Sequence, residues 1–557
     1  MSYMPQNKDL VAGWVQGKAT ELATHYRARN VQWGEDRALL YQAYKAPVLD
    51  FPLILSAEPR NQHRLSLDIL TLREPRFQVM VHEQEPAEQD LMNKVERFTL
   101  GLYREVDRRH RLAGNRYWMR DLDWYVLMGG FAVCPNVRRG PNGETEFRAQ
   151  VWDPMDVYPE YGEDGLRFVC RTYRAVGRDI RSRAKENGWD QKALSDVQDD
   201  SEVDVTNAFW FEEDGPDGKG VYNTVLVGGT EVKAATLEKQ FGSRIPVIVG
   251  PSSGAPFKAF RGMADWPWGR ADWDWTASAW EGIFANSRET FKDLDELLAS
   301  MAQIVKKAAK FPMVETTRTG FPKVTSQALA KSEKVTMQIG EGVSPITPPT
   351  SPRERGELLE YFLGSIQRSG LSFTAFGSLG LEISGVTLEQ LINATQSVLA
   401  PYVEASQYVM SETFMSLMDQ FRRGKFKDVD LLTRKNSSAV GERWFVEGFS
   451  RSDIPATVHL QVIQPLALPD TKLARIQALR AAYGDQRPLF SEQTGMEKLL
   501  EDLVPDYAAE KKRMDEDRAR YSPEGDALSV IIGLLRTREA LVQRGDTEMA
   551  DIVGQII

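Results

Sequence analysis

The densest group of chemistry-bearing side chains in this sequence is a run of carboxylates, Asp153, Asp156, Glu160, Glu163 and Asp164. Converging carboxylates can hold a divalent ion that activates water against a phosphodiester, the chemistry of a metal-dependent nuclease. Here Pro154, Pro159 and Gly162 interrupt the run, and such residues make turns between strands, so the group reads as loop carboxylates. The acidic stretch EEDGPDGKG, Glu212 to Gly220, suggests calcium but lacks the alternating ligands and closing bidentate glutamate of an EF-hand loop. Its proline and glycines read instead as a β-hairpin turn. The five histidines, His25, His63, His82, His110 and His459, are scattered, without an HExxH string or a pair at helical ligand spacing. There is no GxxxxGK[ST] phosphate loop, so a P-loop ATPase is not expected. No GxSxG elbow for acyl-transfer chemistry is expected either. The expectation is no catalytic residue, no metal and no cofactor.

Other features must then explain a chain of 557 residues, long enough for several domains, with 42% apolar residues to build cores. Its net charge of −10, from 69 basic and 79 acidic residues, argues against a surface that grips nucleic acid throughout. A channel through which DNA slides remains compatible with that charge. Two cysteines, Cys134 and Cys170, exclude a disulfide framework and are expected as reduced, packed thiols. No apolar run reaches the length of a membrane span, and the start MSYMPQNKDL lacks the features of a signal peptide, so a cytoplasmic site of synthesis and use is expected. Trp266, Trp268, Trp273 and Trp275 suggest aromatic anchors at a packing junction, since Asp265, Asp272 and Asp274 among them disfavour a membrane belt.

Periodicity divides the chain. Helical spacing runs from Lys8 to Lys45 and from Glu88 to Met128, with Leu91, Val95, Phe98, Leu102 and Val106 on one face. Between Gly129 and Gly250 the period shifts toward two and turn residues multiply, which predicts a β-rich part. Thr276 to Lys310 reads as one unbroken helix. Phe284, Phe291, Leu298 and Val305 lie on one sevenfold series and Trp273, Trp280, Leu294, Met301 and Ala308 on another, which predicts an oligomer-forming rod. Phe311 to Pro349 carries short strand-like strings between Pro and Gly, and helices follow over Pro352 to Arg368 and Thr387 to Phe421. Pro401 lies inside the last and should kink it. PATVHLQVIQPL is strand-like, and the remainder to Ile557 is charged and mostly helical.

The order of these elements, with several local strings, resembles the portal (head-tail connector) proteins of tailed bacteriophages. The strings are LMGGFAVCPNV, WDPMDVYPEYGEDG followed by FVCRTYRAV, and GSRIPVIVG ahead of the long helix. SGLSFTAFGSLGLEISGVTLEQLINATQSVLAP, LQVIQPLALPDTKLARIQAL and PLFSEQTGMEKLLEDLVPDYAAEKKRM follow, so the resemblance spans about Glu88 to Arg513. It implies an α+β, predominantly helical subunit with a wing over 1–269, whose β-rich part is 129–250. A first stem helix over 270–310, a clip over 311–351, a second stem helix over 352–368 and a tunnel loop over 369–386 would follow. The kinked helix and its return to the wing would occupy 387–453, and a crown 454–557.

The resemblance also implies a function: a non-enzymatic ring, a dodecamer in this family, that sits at one capsid vertex of the virion after assembly in the host cytoplasm. Its implied partners are double-stranded DNA in the channel, the terminase large subunit, the head-tail adaptor, and the major capsid or scaffolding protein, with no membrane. The tunnel loop would present Ser372, Phe373, Thr374, Ala375, Phe376 and Ser378, small or apolar side chains that contact DNA without pairing to phosphate. Candidate channel charges are Arg288, Lys292, Lys306 and Lys310, although Asp293, Asp295 and Glu296 interleave with them, as on an ordinary solvated helix face. Candidate clip-docking residues are Arg318, Lys323, Lys331 and Lys334, nearly balanced by Glu315, Glu333 and Glu341. Pro401 with Gly377, Gly380 and Gly385 would form a hinge. Two other classes fit parts of the pattern: a metal-dependent nucleic-acid-processing enzyme, and a coiled-coil scaffold without a channel.

Overall fold

The N-terminal helical pattern divides at Tyr26 into α1 (Val11–His25) and α2 (Arg27–Leu40). The Tyr26 ring is buried and its hydroxyl donates to the Pro159 carbonyl at 3.1 Å, so the break seats an aromatic anchor. The computed structural model describes residues 4–5, 7, 10–43, 55–80, 86–140, 142–254, 275–309, 313–318, 320–321, 338–345, 352–370, 385–435, 443–455, 458–466, 535, 538 and 542. After α2 come α3 (Glu58–Thr71), β1 (Arg76–Met80), α4 (Pro86–Leu112) and α5 (Trp118–Leu127). The mixed α+β composition expected from periodicity is present.

The β-rich part follows with β2 (Gly130–Arg139), β3 (Thr145–Val151), β4 (Val157–Gly162), β5 (Gly165–Val176), α6 (Gly177–Asn187), β6 (Glu202–Glu212), β7 (Gly220–Val227), β8 (Thr230–Leu237) and β9 (Ile248–Pro251). Strands β4 to β8 form a five-stranded antiparallel meander in sequence order, and β3, β2 and β9 form a second sheet. The acidic stretch 212–220 is the β6–β7 connection, the expected hairpin turn. Every residue of β7 is buried, because helices cover both faces of the meander. Tyr222 and Leu226 pack with Val11, Val15 and Leu22 of α1, while Val225 and Val227 pack with Ile180 and Ala184 of α6. Alternation along one strand thus feeds two separate cores.

The remaining elements are α7 (Trp275–Ala279), α8 (Arg288–Ala309), β10 (Met313–Thr316), β11 (Gly342–Pro345), α9 (Pro352–Ser369), α10 (Gly385–Arg423), β12 (Val429–Lys435), β13 (Arg443–Phe449) and β14 (His459–Ile463). α10 runs through the largest core, where Leu399, Val409, Met410, Phe414, Leu417 and Phe421 are buried among residues of α3, α4, α5, β2 and β14. Pro401 does not interrupt its helical assignment, and the proline itself is exposed. β14 pairs antiparallel with β1, from Arg76↔Ile463 to Met80↔His459.

Two expectations change. Thr276 to Lys310 is not one rod: α7 ends at Ala279, turns occupy 280–287, and α8 begins at Arg288. The chain leaves the helix because Ile283 N donates to Leu127 O at 2.9 Å, and a Cβ at Gly282 would lie 2.7 Å from the Met128 carbonyl carbon. Nor is the first half of the apolar seam left for another subunit. Trp280, Phe284, Phe291 and Leu294 are buried within this chain. The strand at 459–463 also falls outside a separate C-terminal region. The chain forms two compact units, 1–432 with 447–469, and 433–446 with 470–557. Within the second unit, the Arg434 guanidinium lies over the Trp444 ring at 5.7 Å.

Candidate functional site

The region with the strongest functional expectation is α8, α9 and the strand pair between them in sequence. α8 begins where an ion pair fixes it to α2. Arg288 Nε donates to Asp36 Oδ1 at 2.6 Å and Nη2 to Oδ2 at 2.9 Å, a bidentate geometry with Asp36 fully buried. Burial raises the Asp36 carboxyl above its usual range, only partly offset by the arginine. For Arg288, burial acts downward most strongly of any one cause, but the bond to Asp36 together with the charges of Asp36, Glu281 and Glu35 outweighs it, leaving the guanidinium more firmly charged. One turn on, Lys292 Nζ reaches Glu289 at 3.0 Å and Glu35 at 3.3 Å. Of the four candidate channel charges, Arg288 and Lys292 are thus each held by carboxylates of their own chain, and both tie α8 to α2.

The turn that precedes α8 is built on Trp280, fully buried against Trp33 with ring centroids 5.7 Å apart and against Tyr26 at 6.1 Å. Trp33 Nε1 donates to Trp280 O at 3.0 Å. The Arg29 guanidinium sits 4.4 Å from the Tyr26 ring centroid and 4.9 Å from each of those of Trp33 and Trp280, donating from Nη2 to Val157 O at 3.1 Å. Its desolvation among aromatic faces lowers the pKa to about 10, which still leaves it charged. Trp280, expected as one residue of the sevenfold apolar series, is thus an aromatic anchor, and Trp275 of the tryptophan-rich segment is the first residue of α7. Trp266, Trp268 and Trp273 lie outside the described residues.

α9 packs on α8, with Ile366 buried and Leu359, Phe362 and Leu363 partly buried against the main core. Leu358 and Tyr361 remain 43% and 62% exposed on the same helix. β10 and β11 pair antiparallel, from Met313↔Pro345 to Thr316↔Gly342. Beside them Glu341 accepts from Arg318 N at 3.3 Å and from Gln338 N at 3.0 Å, while Phe321 and Ile339 are 76% and 94% exposed. Of the clip-docking residues, Arg318 is exposed; Lys323, Lys331 and Lys334 lie outside the described residues. So do Lys310, the tunnel-loop residues Ser372, Phe373, Thr374, Ala375, Phe376 and Ser378, and the hinge glycines Gly377 and Gly380. Lys306 lies on α8, and Gly385 is the first residue of α10.

Of the carboxylates that suggested metal chemistry, Asp153 and Glu160 are engaged by basic side chains. Asp153 takes a bidentate bond from Arg37, at 2.7 and 2.8 Å, and accepts from Met155 N at 2.9 Å. Asp156 is pushed up to about 6 by burial and by the neighbouring Asp153 charge, Glu160 pairs with Lys18 at 3.3 Å, and Glu163 and Asp164 are exposed at the β4–β5 turn. His110 is paired with Asp121 at 2.8 Å, and burial lowers His63 to about 4. Burial pushes the thiols of Cys134 and Cys170 up to about 12, and they form no disulfide with each other.

Contrary to expectation the chain does carry one GxSxG string: Gly250 to Gly254, GPSSG, has the glycine–serine–glycine spacing of a nucleophile elbow and begins in the last two residues of β9. Ser252 is buried and its hydroxyl donates to Val126 O at 2.5 Å, which ties β9 to α5 rather than arming a nucleophile. This stretch borders a groove of about 590 Å³ against α10 near Pro401 and Tyr408, where Glu404 is the one charged lining residue among the described residues. A single exposed carboxylate supplies no acid–base pair. Comparison with known proteins returns no match: no family profile and no curated protein sequence matches this chain.

Proposed function

We propose that this chain is a portal subunit: a non-enzymatic protein that closes into a ring at one capsid vertex and conducts double-stranded DNA during packaging and ejection. The observation that carries the reading is the α8–α9 pair. Two packed helices are joined through a segment whose described strands pair only with each other, and its apolar side chains Phe321 and Ile339 stand in solvent. A segment of about 40 residues is too short to bury a core of its own, and a neighbouring subunit in a ring would supply the cover. Exposed Leu358 and Tyr361 on α9 are consistent with the same neighbour. The wing, built on β2 to β9 and α10, would be the rigid mount, and the clip would receive first the terminase motor and later the adaptor. The ring would use the family's symmetry, with capsid or scaffolding protein outside it.

The decisive experiment is native mass and projection imaging of the purified chain across salt and protein concentration. Closed rings with a central hole and a mass on the order of twelve times 62.9 kDa are expected. A monomer or dimer that persists in every condition, including with capsid or scaffolding protein added, overturns the conduit. Leu358→Glu with Tyr361→Glu should prevent ring closure while leaving the monomer folded.

A further inference from the structure

We propose that Asp123, Ser406 and Gln464 form a proton-operated latch that closes the junction of α5, α10 and the chain leaving β14 when the carboxyl is protonated and loosens it when the carboxyl ionises. The Asp123 side chain is fully buried and bonds to no cation among the described residues. Ser406 Oγ on α10 donates to Oδ1 at 2.6 Å, and Gln464 Nε2 donates to Oδ2 at 3.0 Å. The same Gln464 nitrogen donates to Leu70 O at the end of α3 at 2.9 Å, so four chain segments meet at one carboxyl group. Ser411 Oγ on α10, donating to Leu460 O at 2.6 Å, is a second tie between α10 and β14 that does not titrate.

The surroundings offer an ionised Asp123 little help. On α5, Arg120 is engaged with Asp68 at 2.8 Å and with Thr71 Oγ1 at 3.2 Å. On α3, His63 is held neutral by burial, and on β14, His459 is exposed. Tyr117, ahead of α5, stays protonated because burial and then the Glu74 and Asp123 charges raise it, and Glu404 on α10 is exposed. Among the described residues two neutral donors are all that offset the desolvation, which pushes Asp123 up from 3.8 to about 7. A carboxyl group released to water returns to the ordinary value. Between about pH 4 and pH 7 the closed junction therefore binds more protons than the open one, so closure weakens about tenfold per pH unit as pH rises and levels off above about 7. Protonation costs the closed form no partner, since the Ser406 hydroxyl can rotate to accept.

Hydrogen exchange of the full chain, corrected for the intrinsic rate, tests this at residues 402–411 and 459–464. Protection in the wild type should fall about tenfold per unit between pH 5 and pH 7 and then flatten. Asp123→Asn, a neutral isostere, should abolish that slope and keep the segments protected at pH 8. Ser406→Ala removes a donor to the anion and should move the plateau to higher pH. A wild-type profile without slope, or an Asp123→Asn profile with the wild-type slope, overturns the latch. Should Asp123→Asn not fold, an unmoved plateau in Ser406→Ala overturns it equally.

Discussion

Replacing Arg288 with methionine isolates what anchors α8. Asp36 is fully buried and the Arg288 side chain 15% exposed, with bonds of 2.6 and 2.9 Å, so the variant leaves a desolvated carboxylate without its counter-ion. Breaking one partner of a buried pair costs about 3–5 kcal/mol. At about 1.4 kcal/mol per power of ten, the unfolding constant should rise by roughly two to four powers of ten. Urea denaturation followed by tryptophan fluorescence measures the loss, and hydrogen exchange over residues 288–300 reports whether α8 frays first. The sign with pH follows from the stranded acid. Its folded pKa, already raised by burial, rises further without Arg288, so the native state binds more protons than the unfolded chain. The variant should therefore regain stability as pH falls and lose it as pH rises. Asp36→Leu with Arg288→Met removes both charges and should recover most of the loss. An unchanged urea midpoint in the single variant, or a double variant as damaged as the single, refutes this account.

Trp280→Ala should cost about 3–5 kcal/mol by emptying the site between Trp33 and Tyr26, read as a lowered urea midpoint. Gly129→Ala should destabilise more than an exposed Gly→Ala change, because φ is +113° there and a Cβ would lie 2.6 Å from Trp280 O; thermal melting checks it. Cys134 and Cys170, buried and raised to about 12, should resist a thiol reagent at pH 8 in the native protein and react only after denaturation. Pro401→Ala restores a backbone donor at an exposed helix position and should raise the melting temperature, by up to about 3 kcal/mol of stability. An unchanged helix axis in that variant removes the proposed hinge.

What periodicity could read and what it could not separate cleanly in this chain. The alternation from Gly129 to Gly250 anticipated strands because side chains on a strand change face at every residue, and β7 obeys that rule even with both faces covered. The α10 pattern is legible from a different period, the helical one, as Leu399, Val409, Phe414, Leu417 and Phe421 recur on one buried face. Pairing was not legible. β1 and β14 meet across most of the chain, and neither strand carries a mark of its partner.

The candidate site fails to follow from sequence for a related reason: its decisive contacts join residues far apart in the chain. The sevenfold series through Phe284 and Phe291 continues across the break at 280–287 because residues in the turn also point into the core, so an apolar repeat cannot distinguish a rod from a helix, a turn and a helix packed on one surface. The break depends on the backbone bond from Ile283 to Leu127. Arg288 looked like one charge in a solvated stripe, and only the Asp36 carboxylate, 252 positions away, makes it an anchor. Asp123 is the converse case. Between Leu122 and Trp124 it reads as an ordinary polar position of an amphipathic helix, yet its bonds to Ser406 and Gln464 put at the centre of the packing a carboxyl group that bonds to no cation among the described residues. A charge invisible to local pattern is therefore the one whose protonation the structure makes most consequential.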